Sequence, residues 1–213
     1  MKTSYNKNSQ GYSVIELLMA MAITLSLLGL ATGLFARALG TRERESRKTD
    51  ALTSARAALN LISREISNSG YGLTTNGVVT DDSNAGRIHF RANLINTNNC
   101  ITEDGEDVTY FFEAATQSIV RYVRYATTPC GTTYTTANSV VVNRISNVTF
   151  AYFDYVGNNS TPTQSTTPTA NTGRVRITVT VRLEDVQGQP NNQTVIFTSD
   201  VTLRNSPYML NQY

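Results

Sequence analysis

Residues 17–36 run for 20 positions without a charged side chain. At 1.5 Å per residue a helix of that length covers about 30 Å, the thickness of a bilayer core. The pattern then changes twice. TRERESRK (41–48) is charged on every side, which suits a helix that bridges through solvent or serves as a docking surface. After it Leu52, Ala55, Leu59, Ile62 and Ile66 recur at three- and four-residue spacing, one apolar stripe of an amphipathic helix. No Pro or Gly interrupts this stretch before Asn68, and Gly70-Tyr71-Gly72 ends it. If residues 12–67 are helical throughout, they extend roughly 84 Å.

Beyond the helix the apolar period shortens. Strands are expected at 87–92, 107–114, 118–126, 148–156, 174–184 and 193–204. In the fifth, Val175, Ile177, Val179, Val181 and Leu183 face one way and Arg174, Arg176, Thr178, Thr180 and Arg182 the other. The sixth repeats this with Val195, Phe197, Val201 and Leu203. DVQGQPNN (185–192) reads as the hairpin loop between them, and Asp104-Gly105 as a second hairpin signal. GNNSTPTQSTTPTANTG (157–173) has no aliphatic anchor and reads as a mobile surface loop whose removal over 160–170 leaves the fold intact. A long helix followed by an antiparallel sheet is an α+β order.

The chain has 213 residues, room for one domain with an appendage. A net charge of +2, dispersed along the chain, does not by itself point to nucleic acid. The chain contains one histidine, His89, which lies on the polar side of its strand and reads as a surface residue. No Gly-rich phosphate loop, zinc spacing or nucleophile elbow occurs, so the chain is expected not to be an enzyme and to need no metal or cofactor. Glu103, Asp104, Glu106 and Asp107 offer oxygen ligands for Ca²⁺ but lack EF-hand spacing; a solvated turn is the plainer reading. Arg174, Arg176 and Arg182 on one strand face, with Arg121 and Arg124, are candidate DNA contacts or simply solubilising groups. Cys100 and Cys130 form a single disulfide if the domain is exported; otherwise they are two buried thiols.

The apolar run admits three readings. A small-x-small site, Ala36-Arg37-Ala38, would fit a secretory signal, but 20 apolar residues exceed the usual ~7–15. A plain single-span anchor is the second, with Lys2 and Lys7 keeping the N-terminus cytoplasmic. Neither explains Glu16, because an acid inside a bilayer costs roughly 2.5–3.5 kcal/mol, less near an interface. The third reading cuts the chain after Gly11. Tyr12 then bears a free amine one helical turn from Glu16, and Glu16 of one copy can neutralise the amine of a neighbour.

GYSVIELL (11–18) resembles the type IV pilin signal, G-F-[ST]-L-[IV]-E-L, with Tyr12 in place of the usual Phe. The resemblance implies a leader over 1–11, cleavage between Gly11 and Tyr12 by a prepilin peptidase, N-methylation of Tyr12 and an assembly role for Glu16. Many major pilins carry a proline in the anchor; this span has only Gly29 and Gly33, spaced as a small-xxx-small face. LISREISNSGYG (61–72) and the terminal hairpin, with VRITVTVRLED (175–185) and FTSDVTLRN (197–205), look like PilW-type minor pilins, a plan shared with minor pseudopilin J of type II secretion. The implied organisation is a leader (1–11), a membrane or filament-core helix (12–40), an amphipathic half (41–69) and a β-rich domain (70–213) in a pilin fold. The implied partners are other pilin and minor pilin subunits, the peptidase, the inner-membrane assembly platform and lipid. The implied location is the inner membrane, then a periplasmic or extracellular filament. Rival expectations are a type II secretion pseudopilin and a pilus-tip module that binds a surface or DNA.

Overall fold

The computed structural model describes residues 11–95, 100–157, 161–183, 185 and 192–210. The expected leader therefore lies almost wholly outside the described residues, as does most of the 185–192 loop. The chain falls into two compact units, Met1–Ser46 and Arg47–Tyr213. One helix, α1 (Val14–Ser67), accounts for the described part of the first unit beyond Ser13 and enters the second.

Within the first unit every residue from 17 to 36 is exposed. The three hydroxyl side chains of this stretch turn back on the helix: Thr24 donates to the Met21 carbonyl at 2.9 Å, Ser26 to Ala22 at 2.8 Å and Thr32 to Leu28 at 2.9 Å. Polar groups satisfied in this way are what an apolar solvent demands of a helix. The helix is long and apolar enough to cross a membrane.

In the second unit α1 buries Ala55, Ala58, Leu59, Ile62 and Ile66, the stripe read from the sequence together with Ala58. It packs on antiparallel sheets, so the α+β architecture holds. Among the described residues the strands number eight and form two sheets rather than one. The first has the order β1 (Arg87–Arg91), β2 (Asp107–Glu113), β3 (Ser118–Ala126), β4 (Tyr134–Val142). The second runs β6 (Thr163–Ser165), β5 (Ile145–Asp154), β7 (Thr172–Arg182), β8 (Thr194–Thr202). The division falls at Asn143 and Arg144. A register irregularity at Ile119/Val120 and the left-handed backbone of Arg144, φ 61°, accompany the chain's exit from the first sheet. β5 is tied to the connections beside that sheet: the Ile145 N–H donates to the Gln117 carbonyl and the Phe150 N–H to the Ala85 carbonyl.

The core is shared by both sheets. Val175, Ile177, Val179 and Val181 of β7 are at most 1% exposed, facing Val148, Phe150 and Tyr152 of β5 and the helix stripe. Glu65 ties α1 to the first sheet: it accepts from Tyr110 Oη at 2.7 Å and from Arg121 Nε at 3.0 Å. Ser63 and Ser199 tie it to the second at 3.1 Å.

Cys100 and Cys130 are joined, with Cα atoms 5.5 Å apart, pinning the β3–β4 hairpin tip to the strand-linking segment. Cutting a link across 30 residues is expected to cost about 3.5 kcal/mol on the chain-entropy account. Thermal unfolding with and without reductant measures it. Two freely alkylated thiols in exported protein under non-reducing conditions would rule the bridge out.

The stretch 157–173 departs from its expectation, although 158–160 lie outside the described residues. Thr163–Ser165 pair with β5 as β6. Buried Asn76 donates through Nδ2 to the carbonyls of Thr169 and Thr172, both at 3.0 Å, and of Ala170 at 3.3 Å. Hydrogen bonding supplies the anchor that the absent aliphatic residues do not. Removing 160–170 therefore takes away a strand and two of these three acceptors.

Candidate functional site

Gly11, Tyr12 and Ser13 precede α1, and the Ser13 carbonyl accepts the Leu17 N–H at 3.1 Å. Glu16 sits in the first helical turn, where the helix dipole favours a negative charge. Tyr12 is 84% exposed, and the large apolar side chains that follow along the helix are exposed by about half or more, Leu39 at 49% being the least so. Gly29 and Gly33 have nothing within 4 Å of an added Cβ, so a neighbouring backbone has clear access to both. The element presents a carboxylate at one end of an uncovered apolar cylinder. Chemically it can do two things: dissolve in lipid, or pack against like helices.

The candidate DNA arginines are not assembled into one basic surface. Arg176 makes a two-pronged pair with Asp200, at 2.7 and 2.9 Å, and Arg174 reaches the same carboxylate at 3.8 Å. Both lie over the Phe153 ring, at 4.1 Å for Arg174 and 5.1 Å for Arg176. The Asp200 carboxyl is held below the ordinary carboxylate range, chiefly by its hydrogen bond from Arg176. Arg182, farther along β7, meets Asn192 at 3.0 Å and Asp185 at 3.7 Å. Arg121 turns inward to Glu65. Arg124, three residues on, is on the opposite face of β3 and has no carboxylate within ion-pair distance among the described residues.

The acidic turn is also different from its expectation. Glu106 is 1% exposed, and its carboxylate accepts the N–H groups of Ile95 and Glu103, each at 3.0 Å. It braces the β1–β2 connection from inside rather than facing solvent. Gly105, at φ +86°, makes the turn the sequence signalled, but within a long connection rather than a tight hairpin.

His89 is the largest correction. Strand alternation does put it on the outer face of the first sheet, yet it is buried. Nδ1 lies 2.9 Å from Asp82 Oδ2, and Nε2 contacts Asp107 Oδ1. Asp82 ends a short 3-10 turn (Thr80–Asp82) that folds over the ring, and Arg91 Nε donates to Asp107 at 3.1 Å. Burial pushes the Asp107 carboxyl up, but His89 and Arg91 outweigh it and hold the group below the ordinary carboxylate value. A folded value below the unfolded one gives stability that is full above the unfolded pKa, about 4, and lost as pH falls through the folded one. Asp107→Asn is accordingly expected to lower stability at pH 7 and to flatten the decline below about pH 4. Urea unfolding at several pH values tests this; an acid limb as steep as the parent's would contradict it.

No family model matches the chain, and no curated protein or solved structure matches it.

Proposed function

We propose that this chain is a membrane-anchored minor pilin of the PilW type, which joins or primes a type IV pilus or related filament through its N-terminal helix. One observation carries the reading: a wholly exposed helical stretch, uncharged from 17 to 36, is led by GYSVIELL (11–18), with Glu16 in the first turn of the helix. Side chains such as Leu25 and Leu34, 66% and 67% exposed, require either lipid or protein cover. A filament of packed helices supplies protein cover; the inner membrane supplies lipid cover before assembly. Glu16, awkward in a simple anchor, acquires a use as the partner of a neighbour's Tyr12 amine. The β-rich domain then stands outside the membrane, where its disulfide persists.

N-terminal sequencing of the protein recovered from membranes tests the reading. The expected first residue is N-methylated Tyr12. Recovery of Leu39 would mark an ordinary cleaved signal peptide, and an intact Met1 would mark a plain anchor; either result overturns the proposal.

A further inference from the structure

The outer face of the first sheet carries a row of cross-strand neighbours, His89, Thr109, Tyr122 and Asn138, one from each strand. Phe111 and Arg124 flank this row, and the whole lines a depression of about 460 Å³, within the ~300–1,000 Å³ range of small-molecule sites. Its chemistry is mixed in a particular way. Tyr122 and Phe111 are half-buried rings. Asp82 directs Oδ2 to both Arg87 and His89, at 2.9 Å each, which leaves Oδ1 to accept from outside. Asn138 is exposed and offers both a donor and an acceptor. Arg87 and Arg91 are committed to Asp82 and Asp107. Arg124 is not committed to a carboxylate; its guanidinium carbon lies 4.0 Å from the centroid of the Tyr134 ring, a cation–π contact that leaves N–H groups for an anion. The clamp of His89 between two aspartates holds the floor rigid.

We propose that this depression binds an acidic sugar. A pyranose has an apolar C–H face that stacks on Tyr122, and hydroxyls that donate to Asp82 and exchange hydrogen bonds with Asn138. One carboxylate on the sugar satisfies the one uncommitted arginine, Arg124. A single-stranded nucleic acid fits less well: it needs a track of free cations along its backbone, and here Arg87 is already paired with Asp82, whose carboxylate would face its phosphates. The proposal concerns the globular unit alone and stands whether or not the N-terminal helix enters a filament.

The experiment uses the full chain in phosphatidylcholine nanodiscs, free of glycoside detergents. Binding of digalacturonate, sialyllactose, neutral galactobiose and an oligothymidylate is followed by calorimetry. At least one acidic sugar is expected to bind saturably at micromolar to millimolar concentration. Arg124→Gln should weaken that binding roughly tenfold or more and leave any galactobiose binding unchanged, whereas Tyr122→Ala should weaken both. Arg124 and Asn138 lie at the surface, so Arg124→Gln and Asn138→Ala keep the test sound if Tyr122→Ala lowers the melting temperature. The proposal is overturned if neither acidic sugar saturates, if Arg124→Gln binds like the parent, or if the oligothymidylate competes and binds more tightly.

Discussion

A Glu16→Leu protein is expected to insert in the membrane and fold, yet to be missing from filaments. Insertion should not suffer, because the substitution removes the only acid in the first helical turn and acids are costly in lipid. Folding should not suffer either, because the buried core begins at Ala55. Assembly is where the charge matters in the proposed reading. A neighbour's Tyr12 ammonium would be left buried without its partner, at a cost on the order of 3–5 kcal/mol per subunit. That corresponds to a factor of roughly 150 to 5,000 in the association constant. A minor subunit is rare, so the defect would appear as lost co-purification with other pilins or as fewer filaments. A bulky residue in place of Gly11 should act one step earlier and leave the leader attached, which N-terminal sequencing distinguishes. Normal incorporation of Glu16→Leu protein would sink the register argument.

Gly77→Ala is expected to be the most damaging single methyl group in the globular unit. Gly77 has φ +76°, and a Cβ built there would lie 2.1 Å from the Gly70 nitrogen and 2.3 Å from the Arg91 oxygen. Both are backbone atoms, and they are bonded to each other at 2.9 Å. The Gly77 carbonyl also accepts the Arg91 N–H at 2.8 Å. This is where the chain leaving α1 crosses β1, and no side chain can yield to make room. Left-handed strain plus backbone displacement should cost about 4–6 kcal/mol, a fall in melting temperature of roughly 10–20 °C for a unit of this size. Denaturant unfolding of the variant measures it; a loss below about 1 kcal/mol would show that the crossing is loose.

What the sequence disclosed and what it concealed divide along one line. Elements buried on one face were legible. The α1 stripe and the alternation of β7 follow directly from having one side in the core. β4 was not foreseen, because Tyr134–Val142 is an edge strand with most of its side chains in solvent on both faces; without a buried face there is no alternation to read. β6, three residues long, left even less trace. His89 shows the second limit. Its strand face was legible, but its burial depends on Asp82 arriving from a turn seven residues earlier and Asp107 from the next strand. Asn76 and its acceptors, more than 90 residues away, are a longer instance. The disulfide needed no such foresight, since two cysteines allow one intramolecular pairing. The division into two sheets was hidden because it rests on the backbone of Arg144, not on any hydrophobic pattern.

The hydroxyls of Thr24, Ser26 and Thr32 have a consequence for how the N-terminal helix changes surroundings. Each is already spent on a carbonyl of its own helix. A helix that carries its polar bonds internally has no hydrogen bonds to surrender when it leaves one apolar medium and none to acquire on entering another. In the proposed reading its passage from lipid to a bundle of sister helices is therefore close to an exchange between equivalent solvents. Small differences in side-chain packing, and the placement of a single carboxylate, are then enough to set the direction of travel.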